Sequence, residues 1–109
     1  MVNITYHRDI SRVTIEGHAG SDELGHDLIC ASVTILAQTL AKFVTNMKDA
    51  GQTRYPTINV KPGDTVIDAR PQSRHKDAVK LVFDSICAGF DLLAQESPEH
   101  VSFVIRGKI

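Results

Sequence analysis

Two apolar stripes of helical period constrain this chain more than any other feature. Ile29, Val33, Leu36, Leu40, Val44 and Met47 recur at steps of three and four, and Val79, Val82, Phe83, Ile86, Phe90 and Leu93 repeat the pattern later in the chain. Each stripe needs an apolar surface to cover it. Short alternating runs supply that surface. Ile4 and Tyr6 alternate with Thr5 and His7, and Val13 and Ile15 alternate with Arg12, Thr14 and Glu16 across an Asp9-Ile10-Ser11 turn. Arg54 to Val60 and Thr65 to Ala69 form a second pair around Lys61-Pro62-Gly63-Asp64, with Pro56 marking an edge or a strand start. Val101 to Ile105 reads as a last strand. The order strand-strand-helix-strand-strand-helix-strand predicts an α+β fold, two helices packed on one face of a mostly antiparallel sheet. The first helix is expected to begin just after Asp27 as N-cap and to stop at Gly51; the second runs from about Arg74 to before Pro98.

Length and charge bound the function. A chain of 109 residues is expected to be one domain, residues 1–109. Twelve Lys and Arg against thirteen Asp and Glu leave a net charge of −1, so no global field draws in nucleic acid or an anionic membrane. The basic residues are spread along the chain without an aromatic platform, which argues against a nucleic-acid partner. The N-terminus lacks the basic and apolar regions of a signal peptide, and no apolar run is read as approaching the ~20 residues of a membrane span. Two cysteines, Cys30 and Cys87, are too few for a disulfide framework and fit a reducing cytoplasm.

The reactive residues gather between Glu16 and Thr34. His18 follows Gly17 at the end of the second strand, and Cys30 lies in the first turn of the helix behind a loop from Ala19 to His26. In that loop Gly20 and Gly25 permit left-handed backbone angles. A thiolate is stabilised near a helix start, where free amides and the dipole are positive, and a nearby imidazole can take its proton and later deliver it to a leaving amine. The same amides can receive a tetrahedral oxyanion. Thr34 lies one turn below Cys30 on one helical face. Asp27 reads first as a cap and second as a group that orients His18, and His26 as a solvated loop histidine. Cys30 has two open readings, a reactive thiol or a small packed side chain; Cys87, between Ile86 and Ala88, reads as packed. His7, His75 and His100 lack clustered partners. His18, Asp22, His26, Asp27 and Cys30 offer enough ligands for a zinc-binding module, but no CxxC or HExxH spacing supports one, so no metal or other cofactor is expected.

Gly17-His18-Ala19, Gly25, Asp27-Leu28-Ile29-Cys30-Ala31 and Val33-Thr34 together resemble the ribosomal-processing cysteine protease Prp family of bacteria. The resemblance implies a homodimeric α+β cysteine endopeptidase with His18 as general base and Cys30 as nucleophile. Asp27, Gly17 and Thr34 stand in supporting places, and a mobile loop holds Gly20, Gly25 and His26. It also implies a substrate, the N-terminal extension of large-subunit ribosomal protein twenty-seven. Thr34 stands where the family commonly has serine, and Ser32 where alanine is usual; neither change touches His18 or Cys30. A non-enzymatic ribosome-assembly factor that binds the same partner is the alternative from another class.

Overall fold

A computed structural model describes residues 1–18 and 26–107, with only the backbone of His26 and Asp27. Five strands form one sheet: β1 (Val2–His7), β2 (Arg12–Glu16), β3 (Thr57–Lys61), β4 (Asp64–Asp68) and β5 (Val101–Arg106). Two helices, α1 (His26–Asp49) and α2 (Lys76–Glu96), pack against it, and a 3-10 turn over Ser73–His75 leads into α2. The strand order is β3-β4-β2-β1-β5.

The expected α+β arrangement and element order are present. The sheet is mixed, however, because β5 lies parallel to β1 while the other three ladders are antiparallel. The long connection through β2 to α2 allows this return, since a parallel neighbour needs a crossover and not a hairpin. Three boundaries also differ from expectation. β3 starts at Thr57, not Arg54, because Tyr55 takes a left-handed backbone (φ 37°) and Pro56 cannot donate to a ladder. α2 starts at Lys76, with Arg74 in the 3-10 turn that precedes it. α1 starts at His26, so Asp27 is its second residue and not a cap in front of it, and His26 is helical and not part of a loop.

Both stripes are buried as their spacing requires. Val33, Ala37, Leu40, Val44 and Met47 of α1 and Val79, Phe83, Cys87 and Phe90 of α2 meet Val2, Ile4, Tyr6, Val13, Ile15 and Ile67 of the sheet. Each such side chain contributes roughly 1.5–3 kcal/mol by leaving water. Gly89 permits close contact between the helices, because a Cβ there would stand 3.0 Å from Leu36 Cδ1. By length and composition Leu28–Asp49 is apolar enough to cross a membrane, contrary to the sequence reading. Charge enters that stretch only near its end, at Lys42, Lys48 and Asp49, and the buried stripe is the part that packs on the sheet.

One polar knot ties α2 to the end of β1. The fully buried Tyr6 donates its hydroxyl to Asp84 Oδ1 at 2.7 Å, and Arg8 grips the same carboxylate through Nε (3.1 Å) and Nη2 (3.0 Å). The Arg8 guanidinium holds the Asp84 carboxyl below its ordinary range, with Tyr6 adding to the effect. A depressed carboxyl stabilises the fold above its unfolded pKa and loses that contribution as pH falls through the folded value. Asp84→Asn should therefore lower the urea midpoint at neutral pH, and the gap from the parent should close below about pH 4. Tyr6→Phe should cost about 1 kcal/mol in the same measurement.

Candidate active site

Register brings the site together. β2 pairs with β4 as far as Glu16 opposite Asp64, so the next residues, Gly17 and Gly63, meet at the end of the sheet. The Gly17 amide donates to the Gly63 carbonyl at 3.1 Å. Both glycines are left-handed (φ 92° and 73°), and neither has room for a side chain. A Cβ on Gly17 would collide with the Met1 carbonyl, and a Cβ on Gly63 would enter the imidazole of His18, 2.6 Å from Cε1. His18 therefore lies over the β3–β4 turn. Its carbonyl is held by the Met1 amino group at 2.7 Å, while the residue as a whole stays exposed.

Cys30 approaches from the other side. It is the fifth residue of α1 and half-buried, and helical side chains lean back toward the N-terminus, so its thiol overlies the first turn. Cys30 and His18 line one cavity of about 190 Å³, closed below by Val2, Ile15 and Val33. Thr34 lines it too, one turn from Cys30 as the spacing predicts. The start at His26 moves Cys30 later in the helix than expected. The amides without intrahelical partners now belong to residues 26–29, and they provide the positive end of the dipole beside the cysteine.

Other expected residues divide clearly. Gly17 supports the site as backbone. Asp27 belongs to the first turn of α1, but its side chain lies outside the described residues, as do Gly20 and Gly25. Of His26 only the helical backbone is described. His7 ends β1 away from the cavity, His75 lies in the 3-10 turn, and His100 stands between α2 and β5, 3.9 Å from Glu99. Among the described residues no three His, Cys, Asp or Glu side chains gather as a metal site.

Sequence reading passed over the other wall. Val60, Lys61, Pro62, Gly63 and Thr65 complete the cavity from the β3–β4 hairpin, and Gln38 adds a second polar group one turn beyond Thr34. Gln38 was legible, since positions 30, 34 and 38 share a helical face. The hairpin was not, because only the sheet order brings it beside His18.

The two cysteines differ sharply. Cys87 is 3% exposed, and burial pushes its thiol up to about 12, as suits a packed side chain.

A half-buried cysteine on a helix, facing an open cavity shared with a histidine on a glycine-supported strand end, is the arrangement of a small thiol hydrolase. The chain belongs to the family described as Cysteine protease Prp, whose profile matches residues 1–102. It is accordingly a cysteine protease. The chain is similar to SMU.848 from Streptococcus mutans, with a TM-score of 0.68 at 28% identity, over 98% of this chain and 93% of that one. It also shares its fold with the essential ribosomal processing protease Prp from S. aureus. In complex with a substrate peptide that protein gives a TM-score of 0.63 at 22% identity, and with a covalently linked product peptide 0.61 at 24%. Both alignments cover 96% of this chain and 97% of the other. No curated protein matches the chain.

Iodoacetamide applied to the native protein should label Cys30 and spare Cys87 until denaturant is added, as peptide mapping would show. Gly63→Ala should leave the fold cooperative while displacing the His18 ring. An error of about 1 Å at a reacting group can cost 10²-fold, and a loss of about that size in kcat is expected.

Proposed function

We propose that this protease cuts the N-terminal extension from large-subunit ribosomal protein twenty-seven in the bacterial cytoplasm, with Cys30 as nucleophile and His18 as general base and acid. The observation that carries the reading is the shared cavity: the one half-exposed cysteine and the histidine of the glycine junction reach it from different elements. His18 takes the thiol proton, and the Cys30 sulfur adds to the scissile carbonyl carbon. The carbon–nitrogen bond then breaks, and the leaving amine takes the proton back from His18. Water, deprotonated by His18, then attacks the thioester, releases the acid product and restores the thiol. The free amides at the start of α1 are the donors available to the oxyanion.

Charge at the rim is mixed. Glu16 and Asp64 are exposed and opposite each other on β2 and β4, one residue from the glycines under His18. Lys61 of β3 faces Asp64 from the other side, so the rim offers a partner to either charge on an extended peptide. The apolar cavity floor takes a side chain, and the exposed edge of β3 beside it leaves room for an extended backbone. The reading includes a homodimer, supported by apolar side chains that the single chain leaves in water, Ile35 and Phe43 on α1 and Leu81 and Leu92 on α2.

Incubation with ribosomal protein twenty-seven carrying its extension should generate one new N-terminus, mapped by mass spectrometry. Cys30→Ala should abolish the product, a loss of at least about 10³-fold, with an unchanged circular dichroism spectrum. Cleavage by Cys30→Ala at the parental rate would remove Cys30 from the mechanism. An intact extension in the presence of active enzyme would remove this substrate.

A further inference from the structure

The fold sorts charges that the sequence interleaves. Glu16, Asp64, Glu96 and Glu99 lie at the cleft end of the strands and helices. Lys48 closes α1 at the opposite end, where Arg54, Arg70, Arg74 and Lys76 occupy the segments flanking β3, β4 and α2; all five are exposed. Asp49 and Asp77 are their acidic neighbours in sequence, and the buried Asp68 carboxylate faces Arg12 at 3.2 Å and Arg70 at 3.9 Å. Near-zero net charge therefore conceals an uneven surface, mixed at the cleft, where Lys61 stands among the carboxylates, and mainly basic at the far end.

An aromatic residue stands inside the basic end. Tyr55 is 85% exposed and takes a left-handed backbone, and so does Arg70 (φ 47°). Bulky residues adopt that conformation at a cost, and no burial of the Tyr55 ring offsets it. The conformation is nevertheless firmly held. Thr53 pairs with Pro71, the Arg54 amide donates to the Arg70 carbonyl at 2.8 Å, and the Gln72 amide donates to the Gln52 carbonyl at 2.9 Å. Arg54 Nε donates to Gln72 Oε1 at 2.7 Å, and Arg70 Nη1 reaches the Tyr55 carbonyl at 3.4 Å. Beside this strap lies a groove of about 500 Å³ lined by Lys48, Thr53, Arg54, Tyr55 and Gln72. The hydroxyl of Thr53 is buried there and has no hydrogen-bond partner among the described residues.

We infer that this end of the molecule binds single-stranded RNA, with a base stacked on Tyr55 and the flanking phosphates held by Lys48 and Arg54. An aromatic face framed by cations is the chemistry that holds a nucleic-acid strand without reading its sequence. Gln72 lines the groove and offers its side-chain amide to a ribose or a base edge, and the 2′-hydroxyl is the group that separates RNA from DNA at such a site. An anionic membrane would meet the same charges. A membrane-seated face, however, presents several apolar anchors, whereas this groove presents one ring beside Lys48 and Arg54. The inference reverses the expectation of no nucleic-acid partner, which rested on net charge and on spacing along the chain. It is independent of the proposed substrate.

The test is fluorescence anisotropy with a labelled oligouridine of about twelve nucleotides. The parent protein should bind saturably, and the affinity should fall steeply between about 50 and 200 mM salt. Tyr55→Ala should weaken binding about tenfold, and a Lys48→Glu, Arg54→Glu double variant should remove most of the salt dependence. Thermal melts of each variant verify folding, and Tyr55→Ala, which alters an exposed side chain, keeps the test open if the double variant unfolds. Absence of saturable binding would overturn the inference, as would parental affinity in Tyr55→Ala. Equal affinity for an oligothymidine of the same length would overturn the choice of RNA. Tyr55-dependent binding to phosphatidylglycerol vesicles without oligouridine binding would assign the surface to a membrane.

Discussion

The cleft depends on one register. β2 and β4 are paired so that Val13 and Ile15 lie opposite Ile67 and Thr65 on the helix-covered side, and the same pairing delivers Gly17 to Gly63. A slip of one residue would send Val13 and Ile15 to the open face of the sheet and expose the core to water. Burial of those side chains thus fixes the place of His18 as firmly as it fixes the fold. The two glycines then let three backbone segments, at Met1, Gly17 and Gly63, close around a point where an ordinary side chain has no space. Core packing and site geometry here are one constraint, read at two places along the same strands.

The helix side of the cleft follows a looser rule. α1 presents Cys30, Thr34 and Gln38 along one line because three and four residues make a turn, whatever the sheet does. Its apolar stripe is offset from that line, so Val33, Ala37 and Leu40 anchor the helix while the polar line faces the cavity rim. Cys87 shows the contrast on α2. It belongs to the stripe itself, deep in the core, and burial holds its thiol protonated. Two cysteines in similar helices acquire different chemistry from an angular offset around the helix axis.

This difference in rule explains what could be read from the sequence. Helical spacing is local, so both stripes, the pairing of Cys30 with Thr34 on one face and the packed state of Cys87 were legible. The hairpins were legible from alternation and from Lys61-Pro62-Gly63-Asp64. Strand order was not, because nothing in the residues of β5 states that it returns parallel to β1. The hairpin wall of the cavity was hidden for the same reason: Val60, Lys61 and Thr65 carry no catalytic signature and become part of the site only through the β2–β4 ladder. The start of α1 was misplaced by the usual preference of aspartate for caps; the helix takes in Asp27 and begins at His26. Tyr55 was hidden twice, as a strand residue by its type and as a loop residue by its φ.

Charge shows most plainly why position along the chain is a poor guide to position in space. Every antiparallel strand carries its two ends to opposite sides of the molecule, so residues alternating in sequence are sorted in pairs. Glu16 and Asp64 end and begin neighbouring strands and meet at the cleft, while Arg70 leaves β4 and Arg54 approaches β3 at the other end. At 0.15 M ionic strength fields decay over about 8 Å, much less than the 45 Å long axis of the chain. The two ends consequently act as separate electrostatic surfaces and not as a molecule of charge −1. A peptide approaching the cleft senses Glu16, Asp64 and Lys61, and an anionic polymer approaching the far groove senses Lys48 and Arg54. Under the proposed reading each surface can hold its own partner without competition from the other.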